Sequence, residues 1–471
     1  MENPSETIDG EAPRVLIARV SVSDQHLSAG PQSPLEDFLY DAVFDGFITK
    51  ILAEYGHADQ LVLDLMGDCF DPLAMPWKGT LQDPPYETVA VRKMRTIIRG
   101  HKMYFDALTR FLCTSNTQLA VFVGNHDHFL VFSRVQREIV RRIAHGNAEL
   151  ASRIRFVDQH VNYEEYEDGV LRYHGQNADA HNIMDPKTAI LTNYFGVKLK
   201  RPMLNKPLGS HMAMELSARL KLKNPLIGRL EFERQTWQDA IRNKWGWAVF
   251  AGLMVLWFFY LQFIALPDFR RKVGLGTVLR VIAGTTKKDP VDDYATKRLA
   301  ERNDVRVIIL GHSHGPRRNT GPNGTYINTG WWGKRLKLIW PTFTYSWQRF
   351  RWLEAHWRRF RYFLETGKVP FARKLTKIIG YTTTVAVLVA YLFTSFDVGD
   401  WSVTLWQLKI VAGIVLGFTL LKAALRFSAV KPEVVEDPQF TFALVQHKSD
   451  GGLTADLMEY LPEDNSIREC V

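Results

Sequence analysis

Cysteine is nearly absent: the 471 residues hold three, Cys69, Cys113 and Cys470. An odd number so widely spaced supplies neither a disulfide framework nor a Cys-x-x-Cys zinc site, and a reducing compartment fits. A leader pattern is lacking too, since the opening MENPSETIDGEAPR is acidic and carries no apolar run, so no secretory signal is expected. Internal repeats and low-complexity tracts are also missing, which argues against a solenoid or a disordered tail. Neither sign of charge dominates. Lys plus Arg number 59 against 50 Asp plus Glu, a net +9 that, with aromatics at 12%, favours anionic partners such as phosphates, nucleic acid or acidic lipid.

What the chain does have is a series of short β-branched runs ending in small or polar residues: RVLIARVSVSD (14–24), QLVLDLMGD (60–68), QLAVFVGNHD (118–127), RIRFVD (153–158), VLRYHG (170–175), VRVIILGHSH (305–314) and GTYINTG (324–330). The early runs alternate with helix-like segments over 35–55 and 87–113. That alternation reads as α/β, and nearly continuous Val, Ile and Leu indicates strands covered on both faces. FTFALVQHKSDGGLTADLMEYL (440–461) looks like a hairpin that finishes the sheet near the C-terminus. The expected catalytic domain therefore comprises 14–195, 275–335 and 432–465, interrupted by a helical insertion at 196–274 and a basic, hydrophobic helical insertion at 336–431.

Polar side chains cluster where strands end, the place open α/β sheets keep their ligand crevices. In order they are Asp24 and His26, Asp68, Asn125 with His126 and Asp127, His174, and His312 with His314. Each has a bland explanation as a turn residue, a cap or a packed histidine. Five such clusters in series favour a mixed oxygen and nitrogen metal site instead, with enough ligands for two ions sharing a carboxylate. GHSHGPRR (311–318) also satisfies Gly-x-Ser-x-Gly. A nucleophile elbow requires a helix after the serine, however, and the GPRRNTGPNGT that follows is unsuited to one, so Ser313 reads as a spacer.

These motifs, D-x-H, G-D, G-N-H-D, a later histidine and G-H-x-H, resemble the calcineurin-like metallophosphoesterase family over 14–182 and 305–330. The resemblance implies a β-sandwich flanked by helices and two divalent metal ions, Mn²⁺ first, with Fe²⁺, Zn²⁺ or Co²⁺ as alternatives. It implies Asp24, His26 and His314 on one ion, Asn125, His174 and His312 on the other, and Asp68 bridging. His126 would be the acid or transition-state stabiliser. Asp127 beside it reads as its orienting carboxylate or, equally, as a cap. Arg317, Arg318 and Gln176 are candidate substrate contacts; Gln176 departs from the family, which often has His or Asp there. Among relatives the chain is most similar to the bacterial UDP-2,3-diacylglucosamine pyrophosphatases, though those often carry Arg where His126 stands.

Three apolar stretches lie outside this core, at 247–267, 378–396 and 403–421, beside the Arg- and Trp-rich amphipathic segment 346–365. Stretches of about 20 apolar residues suffice to cross a bilayer, and the positive charges flank the last two on one side. The resulting expectation is a membrane-associated subdomain, a cytoplasmic catalytic domain, membrane lipids as partners and a lipid-linked or nucleotide-lipid phosphoester as substrate. A phospholipid phosphatase or phosphodiesterase, a nucleic-acid or nucleotide phosphodiesterase, and a non-enzymatic scaffold are the alternatives; apolar runs disfavour the nuclease, and a full metal set the scaffold.

Overall fold

The computed structural model describes residues 13–81, 83–158, 163–194, 197–214, 218–223, 289–339 and 433–470. They belong almost wholly to one compact unit made of Met1–Leu230, Lys287–Leu336 and Glu436–Val471, while Glu231–Thr286 and Lys337–Val435 form a second unit.

The first half alternates strand and helix: β1 (Val15–Val22), α1 (Asp41–Tyr55), β2 (Gln60–Leu65), α2 (Glu87–Gly100), α3 (Lys102–Leu112), β3 (Thr117–Phe122), α4 (Ser133–Ala144) and β4 (Ile154–Val157). There follow β5 (Glu165–Glu167), β6 (Val170–Arg172), the hairpin β7 (Ile190–Tyr194) and β8 (Val197–Leu204), α5 (Pro290–Glu301), β9 (Val307–Leu310), β10 (Arg317–Gly321), β11 (Gly324–Asn328), β12 (Trp332–Ile339), β13 (Glu433–Lys448), β14 (Leu453–Leu461) and β15 (Ser466–Glu469). The large sheet runs β15-β14-β13-β1-β2-β3-β4, with β12 also paired to β13; a second sheet runs β10-β11-β9-β6-β5. The expected mixed α/β architecture is present, and the C-terminal hairpin gains β15 as a third strand.

Two refinements concern helices. The segment 87–113 is two helices broken at His101, and the segment 35–55 becomes helical only at Asp41. Glu36 accounts for the delay, because its carboxylate is occupied by the backbone N–H groups of Ser28, Gly30 and Phe38 and holds that stretch as a loop.

Apolar spacing decides the layers. On α4, Val135, Ile139 and Ile143 are buried at four-residue intervals, whereas Arg134, Arg137 and Arg141 face outward. This helix joins α1, α2 and α3 on the outer face of the large sheet, in a core that includes Phe44, Phe47, Met94, Ile97, Phe105 and Phe111. Between the sheets, Met66, Ala120, Phe122 and Val157 meet Val170, Val307, Ile309 and Ile327. Leu171, Ile308 and Leu310 on the far face of the small sheet pack on Val291, Ala295 and Leu299 of α5. Helices thus cover both outer faces of a two-sheet sandwich.

Pairing register aligns the strand ends. Strands β1 to β4 are parallel, matching Val22 with Leu65 and Leu65 with Val121, while parallel β6, β9 and β11 match Arg172 with Ile309 and Ile309 with Ile327. The polar residues that follow each strand consequently emerge along one rim. Inside the sandwich, Asp64 is fully buried and engages Arg19 at 3.3 Å, Arg172 at 3.1 Å and Ser21 Oγ at 3.0 Å. It serves the core and not the rim.

The expectation of membrane association is corrected. Among the described residues no helix is long and apolar enough to cross a membrane. The longest, α1 with 15 residues, rises only about 22 Å against the roughly 30 Å of a hydrocarbon core. The apolar stretches 247–267, 378–396 and 403–421 and the segment 346–365 lie outside the described residues, so the membrane subdomain is unsupported.

Candidate metal centre

The rim gathers the motif residues by backbone ties before any side chain acts. Asp24 N donates to Gly67 O (3.2 Å), His26 N to Asp68 O (2.9 Å), and Gly311 N to His174 O (2.9 Å). Gly124 approaches so closely that a Cβ there would lie 2.2 Å from Asp68 Oδ1, and one at Gly311 would lie 2.6 Å from Asp24 Oδ2. Glycine in these two motifs is therefore a packing requirement. Asp24, His26, Asp68, His312 and His314 all adopt left-handed backbone angles, with φ between 51° and 69°. That region is sparsely populated by residues with a Cβ, and concentrations of it mark functional sites.

Among the described residues three groups of candidate ligands result, one of them His26, Asp71 and His126, and the other two made wholly of predicted ligands. Asp24, His26 and His314 each bring one ligand atom within 4.8 Å of the others, and so do Asp68, His174 and His312. In the first, His314 Nε2 stands 3.3 Å from Asp24 Oδ1 and 3.4 Å from His26 Nε2. Two nitrogens each ~2.1 Å from one tetrahedral ion would be about 3.4 Å apart. In the second, His174 Nε2 lies 3.2 Å from Asp68 Oδ2, while its Nδ1 is 2.9 Å from Met66 O. That carbonyl fixes the ring and leaves Nε2 to face inward.

The donor set fits divalent metals by a second criterion. Buried polar atoms are nearly always hydrogen-bonded, yet Asp24 Oδ1, Asn125 Oδ1 and His174 Nε2 are buried without a hydrogen-bond partner, and each belongs to a predicted ligand. Asp24 Oδ2, by contrast, accepts from Ser23 Oγ and from His312 N at 3.0 Å, which aims Oδ1 alone at the site. Electrostatics agree in direction at His26 and Asp68, whereas at His174 burial is outweighed by the Asp68 carboxylate, which raises that imidazole to about 9. Burial and the charge of His126 lower His26 to about 3, keeping it a neutral donor. Burial would raise Asp68, but His174 and His126 outweigh it and hold this carboxyl well below the usual carboxylate range.

His126 is at the rim with 23% of its side chain exposed, and its Nδ1 pairs with Asp71 Oδ1 at 3.1 Å. Burial pushes its imidazole down; the carboxylates of Asp71 and Asp68 more than compensate and bring it to about 9. The expected orienting residue is corrected. Asp127 faces away from His126, accepting from Gly124 N (2.6 Å), Cys69 N (3.0 Å) and Phe70 N (3.4 Å), and so buckles two site loops together. Asp71, three residues past Asp68, takes the orienting place. It also reaches to within 3.9 Å of His26 Nδ1, behind that ring, while its Oδ1 caps the turn at Leu73 and Ala74.

The expected substrate contacts are engaged elsewhere. Arg317 is clamped by Asp292 (2.6 Å) and Asp289 (2.5 Å), and Arg318 by Asp456 and Glu469, both at 2.9 Å. Gln176 is fully buried and donates to Val123 O at 3.0 Å. Ser313 Oγ accepts from Arg317 Nη2 (2.8 Å) and Asn328 Nδ2 (3.0 Å), and the chain continues into β10 with no helix, so the serine elbow is absent. His181 belongs to none of these ligand groups and lies 2.7 Å from Asp179. Trp331 escaped notice in the sequence; its ring stacks on His26 at 5.0 Å and lies 5.2 Å from His314.

No protein-family model matches the chain, and no curated protein does. Among solved structures it is similar to a phosphopantetheinyl hydrolase from Mycobacterium tuberculosis at 12% identity, covering 67% of this chain and 90% of that one, with a TM-score of 0.24. It is also similar to a dimetal phosphatase from Danio rerio at 12% identity, covering 67% and 88%, with a TM-score of 0.26. Overlaps this loose carry no argument, and the chemistry rests on the site's own residues.

Proposed function

We propose that the chain is a metal-dependent phosphoester hydrolase working with two divalent ions. The observation that carries this reading is the pair of adjacent ligand groups, Asp24–His26–His314 and Asp68–His174–His312, with Asn125 Oδ1 a further buried oxygen lacking a partner. Two ions bound there would supply Lewis-acid activation of a phosphoryl group and of water. The chain's own residues do the rest. Asp68 would be shared by the two ions, and the N–H of His126 donates to its Oδ1 at 2.8 Å. His126, oriented by Asp71 at 3.1 Å, is placed to donate a proton to the departing oxygen.

The lipid-linked or nucleotide-lipid substrate remains part of the proposal. Its support is the net charge of +9 with aromatics at 12%, which favours an anionic, partly apolar partner; the small hollow beside His126 is lined by the ion-paired Asp83, Lys93 and Lys206 as well as by apolar side chains. The test is hydrolysis of a generic phosphodiester together with a nucleotide-lipid, a phospholipid and single-stranded DNA. Asp68→Ala and His312→Ala should abolish activity, and Ser313→Ala should keep most of it. Loss of activity in Ser313→Ala at normal metal content would refute the two-metal reading.

A further inference from the structure

Building on that two-metal reading, we propose that Asp179 is a positioning residue for the second ion, holding the His312 ring by its Nε2 so that Nδ1 is turned toward Asp68 and His174. Asp179 Oδ2 lies 3.5 Å from His312 Nε2. The group formed by Asp68, His174 and His312 does not include Asp179, so this carboxylate lies outside that ligand set. An outer carboxylate of this kind fixes ring orientation and tautomer and strengthens the ligand nitrogen. A proton kept on Nε2 facing Asp179 leaves the Nδ1 lone pair for the ion.

The placement of Asp179 is itself determined on several sides. Its Oδ1 accepts from His181 N at 3.1 Å and is 2.7 Å from His181 Nδ1, and its Oδ2 accepts from Asn182 Nδ2 at 2.8 Å. Backbone bonds from Asp179 N to Gln176 O (3.2 Å) and from Asn182 N to Asp179 O (3.0 Å) close the turn, and Gly209 N ties down His181 O at 2.9 Å. The two imidazoles of the second group are thus braced differently, His174 by the neutral Met66 carbonyl and His312 by a charged carboxylate. The second ion should depend on Asp179 more than the first does.

Full-length protein stripped by chelation is titrated with Mn²⁺, with free ion counted by electron paramagnetic resonance. Wild type should bind two ions. In Asp179→Ala the weaker-held second ion should lose about 10- to 100-fold in affinity while the first stays within about threefold. Asp179→Asn, which keeps an acceptor in place, should recover most of the loss, and circular dichroism of the metal-free variants checks folding. Second-ion affinity in Asp179→Ala within about threefold of wild type would overturn the assignment, as would equal weakening of both ions. A wild type binding fewer than two ions would instead remove the two-metal reading on which it depends.

Discussion

Replacing His101 by Gln tests how the first metal motif is anchored. His101 is fully buried where α2 meets α3, with Nδ1 2.9 Å from Asp41 Oδ1 and Nε2 3.1 Å from Glu36 Oε2. Glu36 in turn accepts from Ser28 N (3.0 Å), Gly30 N (2.7 Å) and Phe38 N (3.0 Å), fastening the loop that leaves His26. Burial alone would push this imidazole down, but Asp41 and Glu36 together raise it to about 9. A raised folded-state value means the contribution is full below the ordinary histidine range, near 6.5, and disappears as pH climbs through about 9. The gap corresponds to about 3 kcal/mol. Urea unfolding of wild type and His101→Gln at about pH 6 and pH 9.5 isolates it, because other titrating groups are common to both proteins. The stability gap between them should shrink by about 3 kcal/mol at the higher pH, or ~1 M in midpoint for a slope of about 3 kcal/mol/M. A change below about 1 kcal/mol would refute the argument that a buried imidazolium holds this loop.

Other expectations follow from the same contacts. Asp71→Asn should lower kcat by about 100-fold with Mn²⁺ binding intact, because it removes the carboxylate that holds His126 as an acid; steady-state kinetics beside metal titration checks this. Asp127→Ala should cost about 3 kcal/mol or more by thermal unfolding, since three buried backbone N–H groups lose their acceptor. Asp64→Ala should destabilise by about 3–5 kcal/mol in urea, leaving Arg19 and Arg172 short of a buried counter-charge. Chelation should abolish phosphodiester hydrolysis, and added Mn²⁺ or Zn²⁺ should restore it.

The candidate ligand series could be picked out because strand ends and metal chemistry both leave marks in one dimension. Val-rich runs locate the strands, and a carboxylate or imidazole directly after each has few reasons to recur. Residues behind the ligands were harder to read. Asp71 and Asp127 are equally good candidates by adjacency, and only the fold shows that the left-handed turn at Asp68 directs Asp71 to His126 while Asp127 closes back on Cys69. Arg317 and Arg318 follow a histidine motif, yet their acidic partners are remote in sequence, from Asp289 before to Glu469 near the C-terminus. Trp331 and Asp179 had no local signal, since stacking and bracing depend on neighbours brought together by the sandwich.

The left-handed ligands have a consequence for how such a chain changes over generations. Ten non-glycine residues with positive φ occur among the described residues, and five of them are Asp24, His26, Asp68, His312 and His314. At those positions glycine is conformationally easier than the residue present. Selection for robust folding alone would therefore remove the ligands early, and a duplicated copy released from its reaction should lose the rim while its sandwich survives.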